Sequence, residues 1–186
     1  MKKEARLLGI DDGPFVRGKN KNALIVGAFF RGGSFLDGVM STKVKLDGDD
    51  ATNKISEMIN KSKFKVQIQC ILINGIAVGG FNIIDIHLLR KKTGIPVMAV
   101  SRKKSDAKKL ISALEKLKKS KQIKMIKSAG EMIKISHLFV QTSGLSASEA
   151  GEILKIGIRN SKVPEALRVA HLIAGGVITG ESKGKS

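Results

Sequence analysis

The 186-residue sequence contains no tryptophan, no tyrosine and a single cysteine. One thiol, Cys70, excludes an intramolecular disulfide and cannot supply a cysteine-based zinc site. It lies inside an apolar run, which points to a buried structural thiol and fits a reducing, cytoplasmic setting. The seven phenylalanines fall mostly in apolar runs, so exposed rings for stacking single-stranded bases are few. No hydrophobic run is long enough to span a bilayer, and no membrane partner is expected. Met1-Lys2-Lys3-Glu4 leads into strand-like sequence without a small-residue cleavage site, which argues against a signal peptide. The glycines of a P-loop are missing, Gly75, Gly79 and Gly80 do not fit the dinucleotide fingerprint, and there is no nucleophile elbow.

Acid is scarce as well: 16 Asp and Glu stand against 34 Lys and Arg, a net charge of +18. Charge bears on partners rather than on fold. Residues 102–127 hold eleven basic side chains, beginning with Arg102, Lys103, Lys104 and Lys108, against Asp106 and Glu115. That segment carries a net +9, half the total. Such a surface favours a polyanion through counterion release. A solvated lysine-rich face of the kind seen in thermophile proteins is the alternative. The size and clustering of the excess favour DNA or RNA.

Hydrophobic periodicity predicts strands at 5–11, 23–31 and 35–46, with Gly32-Gly33 as a hairpin signal. A helix follows from Asp49 or Asp50 to about Ser62, then a buried strand over 66–73. A second helix is expected over 81–92, a strand over 95–100, and a helix from Ser105 to Lys118 with Leu110, Leu114 and Leu117 inward. Residues 119–130 are ambiguous, and 131–142 hold one or two short strands. Ser146-Ala-Ser-Glu149 matches a capping box, and a final helix spans 163–177 with Pro164 near its start. The chain reads as one domain over 1–179 with a flexible tail over 180–186. A three-strand meander feeding right-handed crossovers gives an α/β fold, a mixed sheet with flanking helices compatible with a ribonuclease H-like sheet. There the first strand lies beside the fourth, so the tip of Asp11 comes next to the tip of Asn74.

Two-metal phosphodiester hydrolysis needs carboxylates converging on hard cations such as magnesium, which prefer oxygen ligands. The candidates are Asp11, Asp12, Asp47, Asp49, Asp50 and position 74, three of them within VKLDGDDAT (44–52). Turn and cap chemistry is the competing explanation for each aspartate taken singly. Arg168 and His171 lie three apart on a helix and share a face. His171 has the chemistry to hold or protonate a phosphate, and spacing alone equally fits a packing-edge histidine. His87 and His137, in apolar surroundings, read as core or edge residues. Ser101, Arg102 and Lys103 stand where a strand ends and a helix begins, a candidate phosphate clamp.

These residues carry a resemblance. GIDDG (9–13), DGDDAT (47–52) and GFN (80–82) resemble a mainly archaeal family that is itself similar to endonuclease V, over nearly the whole chain. Gly9-Ile10-Asp11 is similar to the first-strand motif of that enzyme, which ends in a metal-binding aspartate. Leu46-Asp47-Gly48 falls where it has a catalytic glutamate followed by glycine. Ile73-Asn74-Gly75 falls on its Val-Asp-Gly motif, with His87 downstream, and Gly94–Val100 resembles its following strand. Val163–His171 is close to its final helix motif, where the histidine serves the active site.

The resemblance implies a magnesium- or manganese-dependent endonuclease with a ribonuclease H-like fold. Asp11, Asp47 and Asn74 would lie at the metal, Asp49 or Asp50 would do the work of the shortened Asp47 in its place, and His171 would act near the scissile phosphate. Asn74 stands in place of an aspartate and offsets less metal–metal repulsion. The Pro-Tyr-Ile-Pro wedge of endonuclease V is replaced by Gly38-Val-Met-Ser-Thr42. The expected function is nuclease-like, with DNA or RNA held by Arg102, Lys103, Lys104, Lys108 and Arg168. A binding protein on the same scaffold without turnover is the alternative, and an assembly protein meeting an acidic partner is the third class.

Overall fold

The computed structural model describes residues 4–183. The first three strands, β1 (Arg6–Asp12), β2 (Asn22–Arg31) and β3 (Phe35–Lys45), form the antiparallel meander expected from their alternation and from Gly32-Gly33. Helix α1 (Ala51–Asn60) leads to β4 (Cys70–Asn74), which pairs with β1 in parallel and places Ile10 opposite Ile73. A two-strand ribbon, β5 (Ala77–Val78) and β6 (Asn82–Ile83), precedes α2 (Ile86–Thr93) and β7 (Val97–Ser101). Helices α3 (Ala107–Lys116) and α4 (Ser120–Ser128), strands β8 (Ile133–Ile135) and β9 (Leu138–Ser143), and helices α5 (Ala147–Gly157) and α6 (Glu165–Thr179) complete the chain. The seven-stranded sheet has the order β3-β2-β1-β4-β7-β9-β8, mixed as predicted.

Each face of the sheet has its own core. Leu8, Ile10, Ile71, Ile73, Val97 and Ala99 face α1 to α4, while Leu7, Cys70, Leu72, Met98 and Val100 face α5 and α6. Burial pushes the Cys70 thiol up to about 12, as suits an inert structural cysteine. No helix among the described residues is long and apolar enough to cross a membrane.

Several boundaries differ from the sequence expectation, each for a local reason. The strand predicted over 66–73 begins only at Cys70, because Lys65–Gln67 form a 3-10 turn first. The helix predicted from 81 starts at Ile86. Gly79 and Gly80 adopt positive φ and turn the chain into the β5–β6 ribbon, and the Asp85 side chain then caps α2 by accepting from the His87 and Leu88 N–H groups. Asp106 rather than Ser105 caps α3, and Leu117 is exposed beyond its end. The ambiguous stretch is α4. The capping box at Ser146 and Glu149 is present. Of the expected tail, residues 184–186 lie outside the described residues.

Candidate active site

Strand parity assembles the site. On β1, Leu7, Gly9 and Asp11 point to the α5–α6 side and Leu8, Ile10 and Asp12 to the other. The same alternation carries Asn74 on β4, and Arg102 just past β7, to the side of Asp11. Because β1, β4 and β7 run parallel, their C-terminal ends lie in a row.

Helix α6 closes this row. A Cβ on Gly9 would lie 2.2 Å from the Ala166 carbonyl carbon, and one on Gly13 would lie 3.1 Å from the Ala174 carbonyl oxygen. These glycines flank Asp11 on one face and let the helix backbone rest on the strand. Asp11, only 2% exposed, is the side chain between them. Its Oδ2 accepts from the Asn74 amide at 3.0 Å and lies 3.0 Å from His171 Nδ1, while Oδ1 accepts the Asp12 N–H at 2.9 Å. With Asp11 ionised, this arrangement places the ring proton of a neutral His171 on Nδ1.

One turn earlier on α6, Arg168 is held by the buried Glu165, with Nε and Nη2 at 2.7 and 2.6 Å from Oε2. A cavity of about 110 Å³ opens here, lined by Asp11, Asn74 and His171, by Arg102 and Arg168, and by Val163 and Leu167. Two guanidinium groups beside an imidazole suit an anionic oxygen cluster such as a phosphodiester. A second cavity of about 410 Å³ borders the same Asp11, Asn74 and His171 and extends past Asp12, Phe15 and Thr179.

Asp12 turns to the other face, where its Oδ2 accepts the Gly79 N–H at 2.8 Å. Burial, with a smaller contribution from neighbouring Asp11, raises its carboxyl to about 6. The acids of 47–50 also lie on this side. Asp47, at φ 51°, accepts from Phe81 N–H at 2.9 Å and meets Arg17 at 3.4 Å, and its backbone N–H bonds Gly79. Asp50 accepts from Lys45 N–H at 3.1 Å and from the Asn82 amide at 2.7 Å. Asp49 pairs with Lys121 at 3.0 Å, whose ammonium holds its carboxyl below the usual range. None of these three lines the cavities at Asp11.

The structure thus brings together Asp11, Asn74, His171, Arg102 and Arg168, and places Asp47 and Asp50 against the β5–β6 ribbon. Lys103 is exposed, and Lys104 and Lys108 border a separate cavity. His87 bridges Ser143 and the Ser128 carbonyl, and His137 bonds the Lys162 carbonyl, both at element edges as expected. The residues Gly38–Thr42 simply continue edge strand β3, with Gly38 under the Phe64 ring. The helix-seating roles of Gly9 and Gly13 were not read from the sequence, although both share the parity of Asp11.

Among the described residues, no group of three or more His, Cys, Asp or Glu side chains is placed to hold a metal ion. One carboxylate and one carboxamide suit a single hard cation that keeps most of its water. They do not suit a close pair of dications, whose repulsion needs more negative charge.

The sheet order defines the class of fold: ribonuclease H-like, as in endonuclease V. Endonuclease V of Bacillus subtilis superposes with a TM-score of 0.63 at 10% identity, covering 94% of this chain and 81% of that one. Endonuclease V of Ciona intestinalis, solved with an inosine-containing DNA, gives 0.56 at 15%, covering 90% and 83%. Within that fold the chain belongs to the Endonuclease dU family, whose model matches residues 3–178. An Archaeoglobus fulgidus protein of unknown function has the same fold, with a TM-score of 0.88 at 38% identity over 94% of this chain and 98% of its own. A UPF0215 protein of Methanothermobacter thermautotrophicus is 42% identical over 191 residues, covering all of this chain and 94% of its own.

Proposed function

We propose that this protein is an endonuclease of DNA or RNA that acts on phosphodiester bonds at deaminated nucleotides, with magnesium or manganese as cofactor. The observation that carries the reading is the convergence of Asp11, His171, Arg102 and Arg168 on one cavity at the ends of three parallel strands. The family name, Endonuclease dU, and the inosine-containing DNA of the Ciona neighbour indicate which nucleotides to test first.

In this reading Arg102 and Arg168 hold the phosphate, with Glu165 fixing the Arg168 fork. Asp11 orients His171, whose second ring nitrogen moves a proton near the scissile bond. Asp11 and the Asn74 amide oxygen would hold one cation, which supplies charge stabilisation for the phosphoryl oxygens. Asp47 and Asp50 act as positioning residues through the ribbon that packs against Asp12. Lys103, Lys104 and Lys108 extend the contact along the strand. The single carboxylate in the cavity favours a second reading, a strand-binding protein without turnover.

The test is cleavage of labelled deoxyuridine- and inosine-containing strands in magnesium, manganese or EDTA. Wild type should cut with metal, Asp11→Ala should lose at least about a hundredfold, and Asn74→Asp should gain. Wild type that binds the strands but leaves them intact in both metals establishes the second reading instead.

A further inference from the structure

Strand β3 is one edge of the seven-stranded sheet, and its outer side is open. Leu46 N–H donates to the Lys21 carbonyl at 3.0 Å, in register with the β2–β3 pairs. By the two-residue alternation of an antiparallel ladder, Met40, Thr42 and Val44 then turn their backbone groups to β2. Val39, Ser41, Lys43 and Lys45 turn theirs outward. The Asp50 carboxylate takes the Lys45 N–H at 3.1 Å and closes that end of the edge. Val39, Ser41 and Lys43 each keep an N–H and a C=O facing away from the sheet.

The side chains of the same three residues lie on the face that carries α6, opposite Ala28, Val26 and Leu24 of β2. Val39 is 46% exposed there, as is Leu36, which lines a cavity of about 540 Å³ with Phe30, Val169 and Arg159. The rim is basic. Lys43, Lys45 and Arg159 are exposed and form no ion pair among the described residues. The one acid of the strand, Asp37, is already held by Arg31 at 3.0 Å and Arg6 at 3.6 Å.

Chemistry separates the occupants such an edge could take. A second copy would set lysine edge against lysine edge in a chain of net charge +18, and edge lysines oppose that pairing. A DNA backbone brings phosphate acceptors but no donor for the outward C=O groups. An extended peptide brings donors and acceptors in alternation, and its acidic side chains would meet Lys43 and Arg159.

We propose that β3 takes up an extended acidic segment of another protein as an added strand. An apolar side chain of that segment lies against Leu36 and Val39, and carboxylates lie toward Lys43 and Arg159. This surface is separate from the cavity at Asp11, so the proposal does not rest on the function proposed above.

The probe is a short fluorescein-labelled peptide in which threonine alternates with glutamate, with isoleucine in place of the central glutamate. Two comparison peptides carry N-methyl groups, each on one alternating set of amides. Fluorescence anisotropy should show one of them binding as the parent does and the other at least about tenfold more weakly, since only one side of the peptide bonds the edge. Ser41→Pro removes an outward N–H and no bond to β2, and should weaken the parent peptide about tenfold as well. In wild type, amide hydrogen exchange should slow on binding at Val39, Ser41 and Lys43 and stay unchanged at Met40 and Thr42. Equal binding of the two N-methylated peptides, or binding without that alternating protection, means charge attraction alone and overturns the proposal. So does a wild type that does not bind the parent peptide. Protection of the same amides by a single-stranded oligodeoxynucleotide or by raised protein concentration, and not by the peptide, gives the edge to nucleic acid or to a second copy instead.

Discussion

Asp11 and Asp12 are adjacent acids with opposite fates, decided by the alternation of a strand. Asp11 is answered by an amide, an imidazole and a backbone N–H, whereas Asp12 is half-buried with a backbone donor from Gly79 and the charge of Asp11 beside it. The folded Asp12 carboxyl titrates near 6 against an ordinary 3.8. Between those values the folded state holds the extra proton, so the contribution of Asp12 to stability falls as pH rises through that window. Its cost is complete above about pH 7. Asp12→Asn should therefore raise stability at pH 7.5 by about 1 to 2 kcal/mol, allowing for partial exposure, and change little below pH 4. Urea unfolding in chelator-containing buffer at the two pH values checks this; an equal effect at both would mean that the charge is not the cause.

At the scale of elements, the site depends on how α6 lies on β1 and how the β5–β6 ribbon is tied down. Gly9→Ala sets a Cβ against the Ala166 carbonyl, backbone against backbone, so the helix must move. The expected loss is about 3 kcal/mol by overpacking, together with the Asp11–His171 contact. Denaturant midpoints and the histidine ring resonances of the folded variant report the two effects separately. The ribbon is anchored by Asn82, fully buried, whose amide donates to the Lys45 carbonyl and Asp50 while its oxygen accepts from Ala51 N–H. Asn82→Ala strands three polar groups and should cost about 2 to 3 kcal/mol, whereas an exposed substitution on α1 such as Lys54→Ala should cost under about 0.5. Comparable losses from the two changes would remove Asn82 as the anchor.

For the whole molecule, the charge of +18 is unevenly committed. Lys119 donates to the Asp47 main-chain carbonyl and Lys121 pairs with the Asp49 carboxylate. Arg102 lines the cavity at Asp11, Lys104 and Lys108 border the cavity at α3, and Lys103 is exposed. Replacing Arg102, Lys103 and Lys104 by glutamine should flatten the log–log salt dependence of single-strand binding by about 2, as expected for three lost phosphate contacts. An unchanged slope would move the strand to another face.

Much of this was readable in local patterns. Period-two alternation marked the meander, and helical spacing placed Arg168 and His171 on one face; the pairing of β1 with β4 that brings Asp11 to Asn74 was expected from element order, not from any local pattern. The Ser146 capping box is likewise a matter of residues three apart. Such features rest on near neighbours, so composition and spacing suffice to specify them. The sequence could not tell whether VKLDGDDAT served a metal or a turn, because that depends on Phe81, Asn82 and Lys121 arriving as donors. Nor could it separate a helix beginning at 81 from a ribbon turned by Gly79 and Gly80. Gln141 reads as an ordinary strand residue until the sheet buries its amide and leaves one oxygen unmet. Periodicity determined which residues line up along each element; tertiary packing decided which polar groups were satisfied, because those partners come from distant parts of the chain.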